Sequence, residues 1–426
     1  MKISDANLKI ILDSRGKETL EAELKTDEFS TSASVPSGKS KGTHEAFVLE
    51  PKKAIEKFQA IKPQILAASA SGRIESQEEF DNFLIQLDGT SNKQNLGANL
   101  ILALSLAFAR LKAKSENLEL FEYISKLQNL KPKTQNLKPI FNVINGGVHA
   151  AYPKSQLDFQ EFQIIPETKD FGIALGLGQE FYRKLKEFLE KKFGKENVVL
   201  GDEAGFSCPF KNNEEAIEIL AELIVKYNYP LRIGLDAAAS QFYLKSENVY
   251  IVDGKEYGAE ELLDLYLRLI EVYNILSIED PFYEEDFDSF ASLTTPTNTD
   301  FTQTISEKCQ RKSVSGPCQS VLVITDDLTT TNPERLKTAI NKKSGNAILI
   351  KPNQIGTLTQ TLKVVQLAYE NNWQAIVSHR SAETRDDFIA DLAVAVNAWG
   401  LKAGAPAAPE RLVKYERILK INTMTK

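Results

Sequence analysis

AILIKPNQIGTLTQTLKVVQLAYENNWQAIVSH, residues 347–379, holds one complete structural unit. An apolar run ends on Lys351, an amphipathic stretch from Leu358 to Tyr369 follows with helical spacing, and a second apolar run ends on His379. This predicts strand, helix, strand. Outward from it the pattern repeats: LRIGLD ends at Asp236, NILSIED at Glu279, SVLVITD at Asp326 and WGLK at Lys402. Amphipathic stretches from Ala216 to Tyr227, Ala259 to Tyr273 and Asp386 to Ala398 lie between these runs. Buried strands that each hand a functional side chain to their carboxyl end mark a (β/α)-barrel, whose site collects those ends. A doubly wound open sheet has the same rhythm but would normally carry a Gly-rich phosphate turn, and neither G-x-G-x-x-G nor a P-loop is present. The barrel is the preferred fold.

The first part of the chain reads differently. Strand-like segments at Leu8–Leu12, Leu20–Leu24 and Thr31–Val35 precede helical patterns at Ala54–Ala67 and Ala98–Ala113, the order of a small α+β domain. NLKPKTQNLKP, residues 129–139, is polar, carries two prolines and reads as the connection between domains over 1–132 and 139–426. The 426 residues carry 51 Lys+Arg and 58 Asp+Glu, a net charge of −7, which argues against a protein whose main partner is nucleic acid. The longest apolar stretch, Leu100 to Ala109, falls far short of the roughly 20 residues a bilayer needs, so no transmembrane segment is expected. The N-terminus MKISDANLKI lacks an apolar signal region, and the odd set Cys208, Cys309 and Cys318 lacks metal-type spacing, which favours a reducing cytoplasm. With only three histidines, a His-based metal site is nearly excluded, and any metal would be held by carboxylate oxygens.

Three acidic strand ends, Asp236, Glu279 and Asp326, would converge at one barrel mouth, where their repulsion is prohibitive without a cation. Mg²⁺ accepts such hard oxygens. Singly, each would be a helix cap or an ion-pair partner. The next ends, Lys351, His379–Arg380 and Lys402, are basic or polar, so the mouth suits an anion bridged by a divalent cation; an internal ion-pair network is the alternative. Glu161 and Glu203 sit in apolar or Gly-rich contexts that can push a carboxyl towards neutrality and make it a general acid. VPSGKSKGTHEA, residues 35–46, has the composition of a lid, and equally that of a surface turn.

Taken together, ILDSRG (11–16), VPSGKSKGTHEA (35–46), FNVINGGVHA (141–150), QEFQIIP (160–166), GDEAGF (201–206), GLDAAASQFY (234–243), SIEDPF (277–282), DDLTTTNP (326–333), IKPNQIGTLTQT (350–361), SHRSAET (378–384) and LKAGAP (401–406) resemble the enolase family, in its order and over essentially the whole chain. The resemblance implies a capping α+β domain on the enolase-type (β/α)8 barrel, whose first two strands run antiparallel. It also implies reversible dehydration of 2-phosphoglycerate to phosphoenolpyruvate in glycolysis. On matching positions, Asp236, Glu279 and Asp326 would hold one Mg²⁺, and Ser40 of the lid would help hold a second. Lys351 would take the C2 proton; Glu203 would protonate the departing C3 hydroxyl, assisted by Glu161. Arg380 and Ser381 would hold the phosphate, with His379 and His149 nearby, while Lys402 and Gln160 would contact the substrate. A homodimer or homo-octamer is the family's expectation.

The chemistry suits these assignments. A proton alpha to a carboxylate is very weakly acidic, so the developing dianion needs cations on its oxygens, a use of Lys and Mg²⁺ general to the enolase superfamily. Lys351 must be neutral to act as base, so neighbouring cations and the metal should together depress its pKa. A racemase or cycloisomerase of the same superfamily is disfavoured by SHRS together with the lid, and a purely structural role by the full set of candidate groups.

Several positions depart from the family pattern: Lys39 and Lys41 replace Ala and Thr, Ala204 and Ala382 replace Gly, Val148 replaces Ser, Gln241 replaces Glu and Ala403 replaces Thr. Residues 293–319 are longer than the family usually has before DDL and read as a surface insertion. Lys41 adds charge to a loop that closes on an anion, so Lys41→Thr should change KM or kcat. Unchanged steady-state kinetics would refute that expectation.

Overall fold

The computed structural model describes residues 1–38, 42–153, 155–295 and 321–425. Lys39, Ser40 and Lys41 of the expected lid lie outside the described residues, as does nearly all of the expected insertion.

The N-terminal part begins with an antiparallel meander of β1 (Asp5–Leu12), β2 (Glu18–Lys25) and β3 (Ser30–Ser34). Four helices follow: α1 (Pro51–Ala70), α2 (Gln77–Asp88), α3 (Ala98–Ser115) and α4 (Leu120–Leu127). The two shorter ones carry too few apolar repeats to stand out by periodicity, but α2 is fixed at its start by a capping box between Ser76 and Glu79. The apolar stretch from Leu100 to Ala109 lies inside α3 and is buried on nearly every face, as a helix does when enclosed between a sheet and other helices. Phe108 of α3 stacks on Phe80 of α2 at 4.2 Å between ring centroids. Polar groups join this region to the barrel: Ser105 Oγ accepts from the Leu358 backbone N–H at 3.0 Å, and Asp81 accepts from that of Thr359 at 2.8 Å.

Eight strands form the barrel: Lys138–Asn145, Glu161–Pro166, Leu231–Asp236, Ile275–Glu279, Leu322–Thr325, Ala347–Ile350, Gln374–Ser378 and Gly400–Lys402. The eighth pairs in parallel with the first, Lys402 opposite Ile140, so the sheet closes and the open-sheet alternative falls away. The second strand alone runs backwards, antiparallel to the first and to the third. Its first residue, Glu161, therefore sits opposite Asp236, the last residue of the third strand. A strand inverted in this way brings its N-terminal end to the mouth that its neighbours reach with their C-terminal ends.

Alternation along each strand then divides the barrel interior into layers. Ile140, Ile165, Leu276, Ile324, Leu349 and Ile376 form a dry cluster separate from the main core. Two residues further along, on the same faces, stand Asn142, Asp326, Lys351 and Ser378. An apolar plug closes one end of the barrel, and polar groups are left at the other.

Candidate active site

Each candidate side chain comes from the mouth end of a different barrel strand or from a loop beside it. Asp236 and Glu279 end the third and fourth strands; Asp326 and Lys351 directly follow the fifth and sixth; His379 follows the seventh and Lys402 ends the eighth. Gln160 and Glu161 open the inverted second strand, and His149 lies in a short helical turn after the first. Glu203 is carried by a hairpin whose strands pair Leu200 with Phe206, and Phe206 pairs with Ile144 of the first barrel strand. His149, Gln160, Glu161, Glu203, Asp236, Asp326, Lys351, His379, Arg380, Ser381 and Lys402 line one cavity. Glu279 joins them through Lys402. Ser40 lies outside the described residues.

The Glu203 loop is tightly built. A Cβ on Gly205 would come within 2.3 Å of Asn145 Oδ1, so no side chain fits there. Ala204 adopts φ +62°, a conformation that favours glycine and explains the family preference at this position. Its carbonyl accepts from the Tyr182 hydroxyl at 2.6 Å, which holds the turn.

Charge is concentrated and unequal. Lys402 Nζ lies 2.7 Å from Glu279 Oε2, 3.1 Å from Glu161 Oε2 and 3.2 Å from Asp236 Oδ2, all buried. Burial raises Glu279 well above the usual carboxyl range, and Asp236 beside it adds to the rise. Asp236 is likewise raised, by burial first and by Glu161 and Asp326 against the pull of Lys402. One ammonium does not neutralise three buried carboxylates, and Asp326 faces the same cavity. Hard oxygens with a surplus of negative charge are the donor set that a divalent cation of the Mg²⁺ type requires. A second acidic group, Asp280, Asp326 and Asp327, brings its carboxylate oxygens within 4.8 Å of one another. Asp280 accepts from the backbone N–H groups of Asp326 and Asp327 at 2.9 and 2.7 Å, fixing the turn that presents Asp326.

Lys351 pairs with Asp326, whose other oxygen accepts from Gln354 Nε2 at 3.0 Å. The protein's own groups do not by themselves give the expected depression of the Lys351 pKa, which rests on cations and metal together. Burial is the largest influence and lowers it, but the carboxylates of Asp326 and Glu279 pull the other way and the net direction is upwards. Arg380 and Lys402 act in the expected direction, and the Asp326 carboxylate, which the expectation did not include, acts against them. Glu203 also departs from expectation. Despite burial, His379 and His149 hold it well below the ordinary carboxyl range. Asn142 Nδ2 donates to Glu203 Oε2 at 3.0 Å, and His379 Nε2 lies 3.2 Å from the same oxygen.

Arg380 forms a two-pronged pair with Glu45, at 2.8 and 3.0 Å, and also donates to Asn353 Oδ1 at 3.2 Å. Glu45 lies just beyond Gly42, whose N–H it accepts at 3.0 Å, so the segment after residue 41 is tied to Arg380 through one ion pair. Gln160 Nε2 donates to Asp236 at 3.2 Å, and Gln241 Nε2 donates to Gln160 Oε1 at 3.0 Å. Gln241 therefore fixes which end of the Gln160 amide faces the acidic cluster. Sequence reading did not single out Glu45, Asn142 or Arg411. The first two lie inside the quoted motifs, but Arg411 lies in a helix whose only signal is that 411, 414, 415 and 418 share its buried face.

The family models for "Enolase, N-terminal domain" and "Enolase, C-terminal TIM barrel domain" match residues 3–124 and 136–425. The chain belongs to the enolase family. It is 41% identical to the enolase of Methanocaldococcus jannaschii, over 99% of this chain and 95% of that one. Similarity extends across domains of life: the Thermococcus gammatolerans enolase is 40% identical over 96% of this chain and 92% of its own length. Enolase B of Dictyostelium discoideum is 39% identical over 99% and 94%. The enolase family's chemistry is that of a hydro-lyase, phosphopyruvate hydratase.

Proposed function

We propose that this barrel mouth dehydrates 2-phosphoglycerate reversibly to phosphoenolpyruvate, with Lys351 as the base at C2 and Glu203 as the acid at C3. The observation that carries the reading is that these two groups open into one cavity from separate walls. Lys351 is held by Asp326 after the fifth strand, whereas Glu203 is held by Asn142 of the first and by His379 after the seventh. Abstraction at one carbon and protonation at the next need two groups that do not compete for the same proton.

Asp236, Glu279 and Asp326 would hold one Mg²⁺ and Ser40 would contribute to a second; bound there, the ions supply positive charge to the substrate's carboxylate and phosphate oxygens. Lys402 adds a fixed ammonium on the same side. Arg380 and Ser381 bind the phosphate, Gln160 orients the substrate, and His149 and His379 border the Glu203 side. Glu161 assists Glu203 across His149, which lies 3.5 Å from Glu161 and 3.7 Å from Glu203. Lys351 accepts the C2 proton only once neutral, which requires the charge of Asp326 to be drawn away from it.

We further propose a division into a capping domain, 1–132, and a barrel domain, 139–426, a cytoplasmic location, and a homodimer or homo-octamer. Among the described residues no helix is long and apolar enough to cross a membrane. The test is the growth of phosphoenolpyruvate absorbance from 2-phosphoglycerate with Mg²⁺ and after chelation. Activity is expected only with the metal, and a rate that survives chelation would overturn the proposal.

A further inference from the structure

Arg411, on the C-terminal helix Pro409–Met424, is fully buried. Its guanidinium nevertheless has no carboxylate within ion-pair reach among the described residues. Its Nη1 contacts His379 Nδ1 and donates to the Arg380 carbonyl at 2.8 Å. Its Nη2 donates to the carbonyls of Asp202 and Ser381 at 2.9 and 2.7 Å. One side chain thus binds the turn before Glu203 to the loop that carries Arg380 and Ser381. A buried charge with no direct counter-ion is costly and needs a reason.

The contact with His379 supplies one. Guanidinium is a donor at every nitrogen and accepts nothing, so His379 Nδ1 must present its lone pair. The single ring proton is then on Nε2, facing Glu203 Oε2 at 3.2 Å. Asn142 Nδ2 donates to that same oxygen. With one hydrogen bond already received and the His379 N–H 3.2 Å away, Oε2 is the less favourable oxygen for a proton. Glu203 Oε1 is the oxygen that faces His149 Nδ1, 3.7 Å away. The other charges that face Glu203 are Arg411, Glu161 on the far side of His149 and, across the cavity, Lys402.

We propose that Arg411 is a positioning residue that fixes His379 as the neutral Nε2–H tautomer and so confines the transferable proton of Glu203 to Oε1. The proposal rests on Glu203 being the acid, but the tautomer can be read without that assumption. The 426-residue chain, labelled with ¹⁵N-histidine, contains only three histidines, so His379 is assigned by its loss in His379→Asn. The expected spectrum shows a pyridine-like Nδ1 and a pyrrole-like Nε2 for His379. Arg411→Met should move His379 to mixed tautomers and lower kcat by about 10- to 100-fold, as for other partners that orient a functional side chain, with little change in KM. Arg411→Lys, which keeps one donor, should recover part of both. A proton on His379 Nδ1 in the unaltered protein, or an Arg411→Met variant with an unchanged pH profile and rate, overturns the proposal. Wild-type dehydration by Glu203→Gln would instead overturn the acid assignment and leave the tautomer standing.

Discussion

Lys351→Ala is expected to lower the rate of phosphoenolpyruvate formation by about a thousandfold or more, within the range a positioned base contributes. The C2 proton has a very high pKa, and among the groups lining the cavity only an amine freed of its proton combines sufficient basicity with a place on that wall. Asp326, which pairs with Lys351, is held low and is a poor base. The sharper readout is exchange of the substrate's C2 hydrogen with deuterated solvent, which should vanish in Lys351→Ala. Removing Lys351 also leaves the half-buried Asp326 without its ion pair, so the variant's melting temperature must be measured alongside. A folded variant that still exchanges C2 at a substantial rate would refute the assignment of Lys351.

The second large effect concerns pH. Burial raises the carboxyls of Asp236, Glu279 and Asp280, and Asp327 is pushed up to about 8 by burial and by Asp326. An acid raised in the folded state binds its proton more tightly there than in the unfolded chain. The folded state then carries the extra proton, and stability falls as pH rises from the ordinary carboxyl range towards the raised value. Each such group contributes on the order of 1.4 kcal/mol per pH unit while its proton is retained only in the folded state. Asp326 and Glu203 are shifted the other way, but their contribution is complete above the ordinary carboxyl range and does not oppose the fall. His379, lowered by burial, opposes it only below about pH 6.5. His149, raised by its carboxylate neighbours against burial, works in the same direction as the acids. Without divalent cations the melting temperature should therefore drop steadily between about pH 5 and pH 8. Added Mg²⁺ should stabilise the protein much more at pH 8 than at pH 5. A flat profile, or an equal Mg²⁺ effect at both pH values, would count against the raised carboxyls.

Much of this was legible before any coordinates. Asp236, Glu279, Asp326, Lys351, His379 and Lys402 each end an apolar run, and a run long enough to be a buried strand delivers its last residue to a predictable edge. The same rule has nothing to say about Glu161, because its strand runs backwards and presents its first residue; only the resemblance supplied that inversion. The direction of the Lys351 shift was also beyond the sequence, since it depends on whether Asp326 reaches the amine before Arg380 or Lys402 does. Arg411 was hidden for a different reason. Charge on an amphipathic helix ordinarily faces water, and a buried guanidinium held by backbone carbonyls leaves no trace in composition or spacing.

Lys402 meets carboxylates from the second, third and fourth barrel strands while belonging to the eighth. It is a keystone: one ammonium draws together side chains that lie far apart in the sequence, so a divalent cation bound there would meet oxygens already placed by the fold.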